Sequence, residues 1–180
     1  MSRYILTGTP GCGKTTIIRA LDEKGFHVIE EAATDVILES QALGVAEPWW
    51  SSDFIDKIIM IQQQRQLQAE NRLSDVQFYD RSPVCTYALS MYLGFEPSEN
   101  LVKEIKRIQD DQVYNRHVFF IENLGFTAPT EARKISHEEA LKFEKIHREV
   151  YAKLSYECIF IRAATVEKRV DTILRLINDY

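Results

Sequence analysis

A chain of 180 residues, 45% hydrophobic and 27% charged, has the length and composition of one globular domain with a sizeable core. Its 22 basic and 27 acidic side chains leave a formal net charge of −5, which argues against a nucleic acid backbone or an anionic membrane as the main partner. Cys12, Cys85 and Cys158 lack the paired spacing of a zinc site or disulfide framework, and no apolar run nears the ~18 residues of a membrane span, so free thiols and a cytoplasmic location are expected.

The first element is a short apolar run from Arg3 that feeds GTPGCGKT and then an apolar-periodic segment reaching Ala20. The pattern G-x-x-x-x-G-K-[ST] is met by Gly8, Gly13, Lys14 and Thr15, with a strand before it and a helix after it. That context reads as a phosphate-binding P-loop. Gly8, Gly11 and Gly13 let successive N–H groups turn inward around a phosphate chain, and the helix N-terminus adds partial positive charge at the same point. Lys14, read as an exposed cation, reaches the β- and γ-phosphates of ATP or GTP, and the Thr15 hydroxyl ligates Mg²⁺. The nucleotide-binding stretch is Gly8, Pro10, Gly11, Cys12, Gly13, Lys14, Thr15 and Thr16, with Cys12 as a small filler.

Gly25 stops the first helix, and Phe26–Ile29 makes a short strand ending at Glu30 and Glu31. Ala32–Leu43 reads as a helix stopped by Gly44. Trp49 and Trp50 follow in a loop, either as lining for an aromatic acceptor pocket or as core packing. Ser51, Ser52 and Asp53 offer N-caps for a long helix to about Leu73. Val76–Tyr79 is a third strand, followed at once by Asp80 and Arg81. Pro83 opens a helix that Gly94 closes, and Ser98–Tyr114 gives another. His117–Ile121 is the nearly continuous apolar run of a strand buried on both faces. A polar stretch over about 122–136 precedes a helix capped by Ser136 and Glu139; Cys158–Ile161 is a fifth strand, and Thr165 caps a last helix.

This alternation predicts an α/β fold, a three-layer αβα P-loop sandwich around a five-stranded parallel sheet, in a single domain over 1–180 with a lid over about 122–136. Active residues then belong at the carboxyl ends of the strands. Asp80 stands where a P-loop protein keeps the carboxylate that holds the magnesium shell, in part through water. Arg81 presents a permanently charged planar fork, suited to phosphate or to a salt bridge with Glu30, Glu31 or Asp80. Glu31, or Glu30, faces an acceptor and is placed to take the proton of an attacking hydroxyl. Arg133, with Lys134, lies in the lid stretch, where closure draws a cation over the γ-phosphate and expels water.

Taken together, GTPGCGKTT, VIEEAATDVI, YDRSPVCTYAL and ARKISHEEALKFEKIHREVY resemble the small AAA-type ATPases of bacteria, a family that also holds the ribosylnicotinamide kinase domain. The resemblance covers nearly the whole chain and implies the fold and a bound nucleoside triphosphate more firmly than it implies a substrate. A second similarity is to deoxynucleoside kinases, whose Glu-Arg-Ser after the third strand stands here as Asp80-Arg81-Ser82. It implies that Glu31 acts as base and that one of Gln62, Gln63 and Gln64 reads a nucleobase, although the Glu-Pro of that pattern is here Glu31-Ala32. The function expected is a Mg²⁺-ATP-dependent phosphotransferase with a nucleoside- or nucleotide-like acceptor. The alternative is a regulatory ATPase or GTPase that couples hydrolysis to a protein partner. A GTPase switch is disfavoured by the absence of an Asn-Lys-x-Asp motif, and the oligomeric state is not legible.

Overall fold

Ser2–Gly8 forms the central strand β1, and its side chains alternate between two apolar layers. Ile5 joins the core on one face of the sheet, while Tyr4 and Leu6 join the core on the other. The structure is a computed structural model that describes residues 1–70, 74–122 and 137–179. Around β1 lie β2 (His27–Ile29), β3 (Val76–Asp80), β4 (His117–Ile121) and β5 (Glu157–Ile161), all parallel, in the order β2-β3-β1-β4-β5.

The helices are α1 (Lys14–Glu23), α2 (Ala32–Ala42), α3 (Asp53–Glu70), α4 (Pro83–Leu93), α5 (Glu99–Asp110), α6 (His137–Lys153) and α7 (Val166–Asp179). One core layer joins the sheet to Ile17, Ile18 and Leu21 of α1 and to Val170 and Ile173 of α7. The opposite layer takes the apolar faces of α2 through α6, among them Val36, Ile58, Ala88, Ile105 and Tyr151. This is the expected three-layer α/β sandwich with a five-stranded parallel sheet. The strand order reverses at β1, so the crevice beyond its carboxyl end is the place such sheets offer a ligand.

Most predicted boundaries fall within a residue or two of the observed ones. One expectation is corrected: α5 was expected to run to Tyr114 but ends at Asp110. Gln112 turns to φ 47° and the Val113 N–H donates to the Ile108 carbonyl at 3.0 Å, which wraps the last turn and points the chain toward β4. The expected end of α3 at Leu73 and the Ser136 cap of α6 lie outside the described residues.

Candidate active site

The loop that leaves β1 is shaped by close approach. Gly8 has φ 143°, and a Cβ there would sit 2.5 Å from the Ile121 carbonyl oxygen and 2.9 Å from Cys12 Sγ. Only glycine fits between the ends of β1 and β4. Gly11 and Gly13 also take positive φ, and Gly13 is the N-cap of α1 with no side-chain cap bond, which leaves first-turn N–H groups available for an anion. Thr15 and Thr16 are exposed, whereas Cys12 is fully buried. Lys14 corrects an expectation. It is only 7% exposed, because its side chain runs back along the loop and brings Nζ to 4.0 Å from Cys12 Sγ.

Behind the loop stands a residue that sequence reasoning missed. Arg169 of α7 is buried, and its Nη1 donates to the Cys12 carbonyl at 2.7 Å, its Nη2 to the Glu122 carbonyl at 2.8 Å and its Nε to the Arg162 carbonyl at 3.1 Å. One guanidinium thus ties the P-loop backbone to the ends of β4 and β5. On the amphipathic α7 an arginine looks solvent-facing, so only the fold exposes this role.

At the next strand end Asp80 is buried and Arg81 follows at φ 71°. That left-handed conformation costs a residue with a Cβ about 1–3 kcal/mol and persists only where the surroundings enforce it. Here they do: the Arg81 N–H donates to the Leu6 carbonyl at 3.0 Å, and Nε donates to Glu31 Oε1 at 2.7 Å. Burial alone would weaken the guanidinium charge, but Glu31, followed by the Cys85 thiol and Asp80, more than offsets it, so the Arg81 pKa is raised. Glu31 is the N-cap residue of α2, and its Oε2 accepts from the Thr34 hydroxyl at 3.0 Å. Glu30 is exposed and contributes its carbonyl to Arg65 at 2.9 Å. Of the two adjacent glutamates, the structure brings Glu31 into the cluster.

From Pro10, Glu31 and Arg81 a cavity of about 530 Å³ extends between α2, a 3-10 turn over Pro48–Trp50, α3, α4 and α6. Phe54, Ile58, Leu89, Tyr92 and Phe143 give it apolar and aromatic walls, and both Trp49 and Trp50 line it. Among the three glutamines, Gln62 lines the cavity and its Oε1 accepts from the Thr86 hydroxyl at 2.9 Å, leaving the amide NH₂ as its remaining group. Gln63 instead donates to Glu104 at 2.8 Å, and Gln64 is exposed. His147 of α6, also missed in the sequence, lines the same cavity. Its signal is the buried i, i+4, i+8 stripe of Phe143, His147 and Tyr151. Arg133 and Lys134 lie outside the described residues.

The loop and its neighbours fit a magnesium nucleotide. The Thr15 hydroxyl and the Asp80 carboxylate are hard oxygen donors, and the positive φ of Gly8, Gly11 and Gly13 is the loop geometry in which successive N–H groups turn inward on an anion. Among the described residues no group of three or more His, Cys, Asp or Glu is placed to hold a metal ion. No helix among the described residues is long and apolar enough to cross a membrane.

A family model described as an AAA domain matches residues 3–169. No curated protein matches the chain significantly. Among solved structures, a deoxyadenosine kinase from M. mycoides with the products dCMP and a flexible dCDP is similar, with TM-score 0.66, 15% identity, and 99% of this chain and 100% of that chain covered. The same enzyme with bound dATP gives TM-score 0.65 at 15% identity, with 99% and 100% covered. A shikimate kinase from Acinetobacter baumannii in complex with shikimate gives TM-score 0.60 at 16% identity, with 99% and 94% covered. At such identities these likenesses establish a shared kinase-like P-loop fold.

Proposed function

The chain belongs to the AAA-domain family whose model spans residues 3–169, and from that premise we propose that it is a Mg²⁺-ATP-dependent phosphotransferase acting on a small nucleoside-like acceptor. The observation that carries this reading is the cavity of about 530 Å³ that begins at the P-loop residue Pro10 and at the Arg81–Glu31 pair. It has the size and the apolar walls with few polar groups of a small-molecule site. That the similar deoxyadenosine kinase structures hold dCMP, dCDP or dATP supports a nucleoside-like occupant.

In this reading the P-loop N–H groups and Lys14 hold the β- and γ-phosphates, and Thr15 and Asp80 hold Mg²⁺, in part through water. When bound, magnesium supplies charge neutralisation on the phosphate oxygens. Glu31 accepts the proton of the acceptor hydroxyl as its oxygen attacks phosphorus and the β–γ bridging bond breaks. Arg81 keeps Glu31 in place through the 2.7 Å bond and sets a permanent positive charge where negative charge accumulates on the transferring group. Gln62, its Oε1 fixed by Thr86, offers its amide NH₂ to the polar edge of the acceptor. Arg133, outside the described residues, is proposed as a cation for the γ-phosphate.

The test is ADP release by the purified protein with Mg²⁺-ATP across nucleosides, ribosides and nucleotides, with the product identified by mass. Stimulation by one of them, together with its phosphorylation, is expected. Stimulation only by a protein partner, with every small molecule inert, would favour a regulatory NTPase.

A further inference from the structure

His147 has a chemistry that its place in the core does not explain. It is 0% exposed, lies on α6, stacks on Phe143 with ring centroids 3.9 Å apart, and has Nδ1 2.9 Å from the Phe143 carbonyl oxygen. A carbonyl can only accept, so Nδ1 carries the proton and Nε2 presents a lone pair. That Nε2 is buried and has no hydrogen-bond partner among the described residues. An unmade bond of this kind is a net cost to the fold, and a phenylalanine at 147 would stack on Phe143 without it. The ring also stays neutral: burial first, and then the charge of Arg81, lower its pKa to about 3, against an opposing effect of the Phe143 carbonyl, with Lys14 adding a smaller lowering.

The same cations locate the ring. His147 lines the cavity together with Arg81, and Phe143, on which it stacks, has the Arg81 guanidinium carbon 5.7 Å from its ring centroid. His147 is therefore at the end of the cavity that Arg81 marks, beside the P-loop. The part of an acceptor that sits at this end is the alcohol-bearing part, because the hydroxyl to be phosphorylated has to meet the P-loop. We propose that His147 is a specificity-determining residue, whose Nε2 accepts a hydrogen bond from a second hydroxyl of the acceptor, near the one that is phosphorylated. The site then selects acceptors with a sugar-like pair of hydroxyls over analogues that keep only the reacting one. A buried group built to pair with a substrate hydroxyl rejects the analogue lacking it, because the lone pair is again left unmatched.

This inference rests on the phosphotransferase reading, and the experiment separates the two. Adenosine and cytidine, their 2′-deoxy forms and their 2′,3′-dideoxy forms are compared as acceptors by kcat/KM with Mg²⁺-ATP, and as ligands by calorimetry without ATP. The native protein is expected to favour a hydroxylated form over its dideoxy analogue by about 10² or more. H147F should bring the ratio to within about fivefold and unfold at the same or a higher temperature, since it removes an unpaired acceptor. H147Q, which restores an oxygen near the Nε2 position, should recover most of the ratio. Phosphorylation with a ratio unchanged in a folded H147F would overturn the role of His147 and leave the phosphotransferase reading standing. Failure of all six compounds both to bind and to be phosphorylated would overturn the nucleoside-acceptor reading and this inference with it.

Discussion

Replacing Glu31 with Gln separates the two duties assigned to that carboxylate, proton acceptor and anion for Arg81. The catalytic loss follows from the first duty: removing a general base costs about 10² to 10⁴ in turnover, or roughly 3–5 kcal/mol of barrier. The stability loss follows from the second. Breaking a well-buried ion pair costs about 3–5 kcal/mol, but here Gln retains an oxygen for the Arg81 Nε bond, and the Glu31 side chain is 19% exposed. Solvent screening and the retained bond reduce the expected loss to about 1–2 kcal/mol. ATP affinity should change little, since Glu31 is assigned to the acceptor and not to the nucleotide. Glu30→Gln is the control, exposed and bonded among the described residues through its carbonyl, and should stay within about 0.5 kcal/mol and a few-fold in rate. The assays are acceptor phosphorylation at saturating ATP and urea unfolding of both variants. Equal losses at both positions, or a destabilised Glu31→Gln protein with full turnover, would refute the assignment of Glu31 as base.

Lys14→Ala should weaken ATP binding at least about tenfold, the value of one charge-assisted contact, and leave unfolding unchanged, because its one hydrogen bond among the described residues is a weak 4.0 Å contact; undiminished ATP affinity by calorimetry would contradict this. Asp80→Asn removes a charge from the proposed metal shell while conserving shape, so the half-saturating Mg²⁺ concentration should rise about tenfold or more, and a magnesium titration identical to the native one would make Asp80 structural. His147, with its pKa lowered from 6.5 to about 3, stays neutral in the native state while the unfolded chain takes up a proton as pH falls through 6.5. Its contribution to stability is therefore full above about pH 6.5 and is lost as pH falls toward 3. From pH 7 to pH 5 the native protein should lose about 2 kcal/mol more than H147F, and equal losses in urea unfolding, or an imidazole titrating near 6.5 by NMR, would refute the buried neutral state.

The P-loop and the sheet were legible because their signals are local: glycine spacing, apolar strands and caps all report on backbone geometry. The strand ends were legible because a parallel α/β sheet puts polar chemistry there whatever its purpose. The choice between Glu30 and Glu31 needed the N-cap geometry of α2, which turns Glu31 toward Arg81 and leaves Glu30 exposed. The choice among Gln62, Gln63 and Gln64 needed the partners on α4 and α5, since Thr86 claims one and Glu104 another. A lone cation in a loop is ordinarily exposed, and the burial of Lys14 depends on how the loop folds back, which no local pattern reports. Arg169 and His147 escaped notice because each sits on a helix whose pattern assigns charged residues to solvent and lone histidines to ordinary packing. Their roles arise from residues more than a hundred positions away in one case and about sixty in the other, the P-loop carbonyl and the Arg81 strand end.

Whether a small molecule receives the phosphoryl group decides the proposed function most directly. Radiolabelled γ-phosphate of ATP, incubated with the purified protein, Mg²⁺ and a broad set of nucleosides and ribosides, gives the answer in one measurement of where the label goes. The cavity beside Arg81 and Glu31 predicts slow release of inorganic phosphate without acceptor, and transfer of label to at least one nucleoside-like compound. Label found only in inorganic phosphate, at a rate no small molecule alters, would contradict the proposed function.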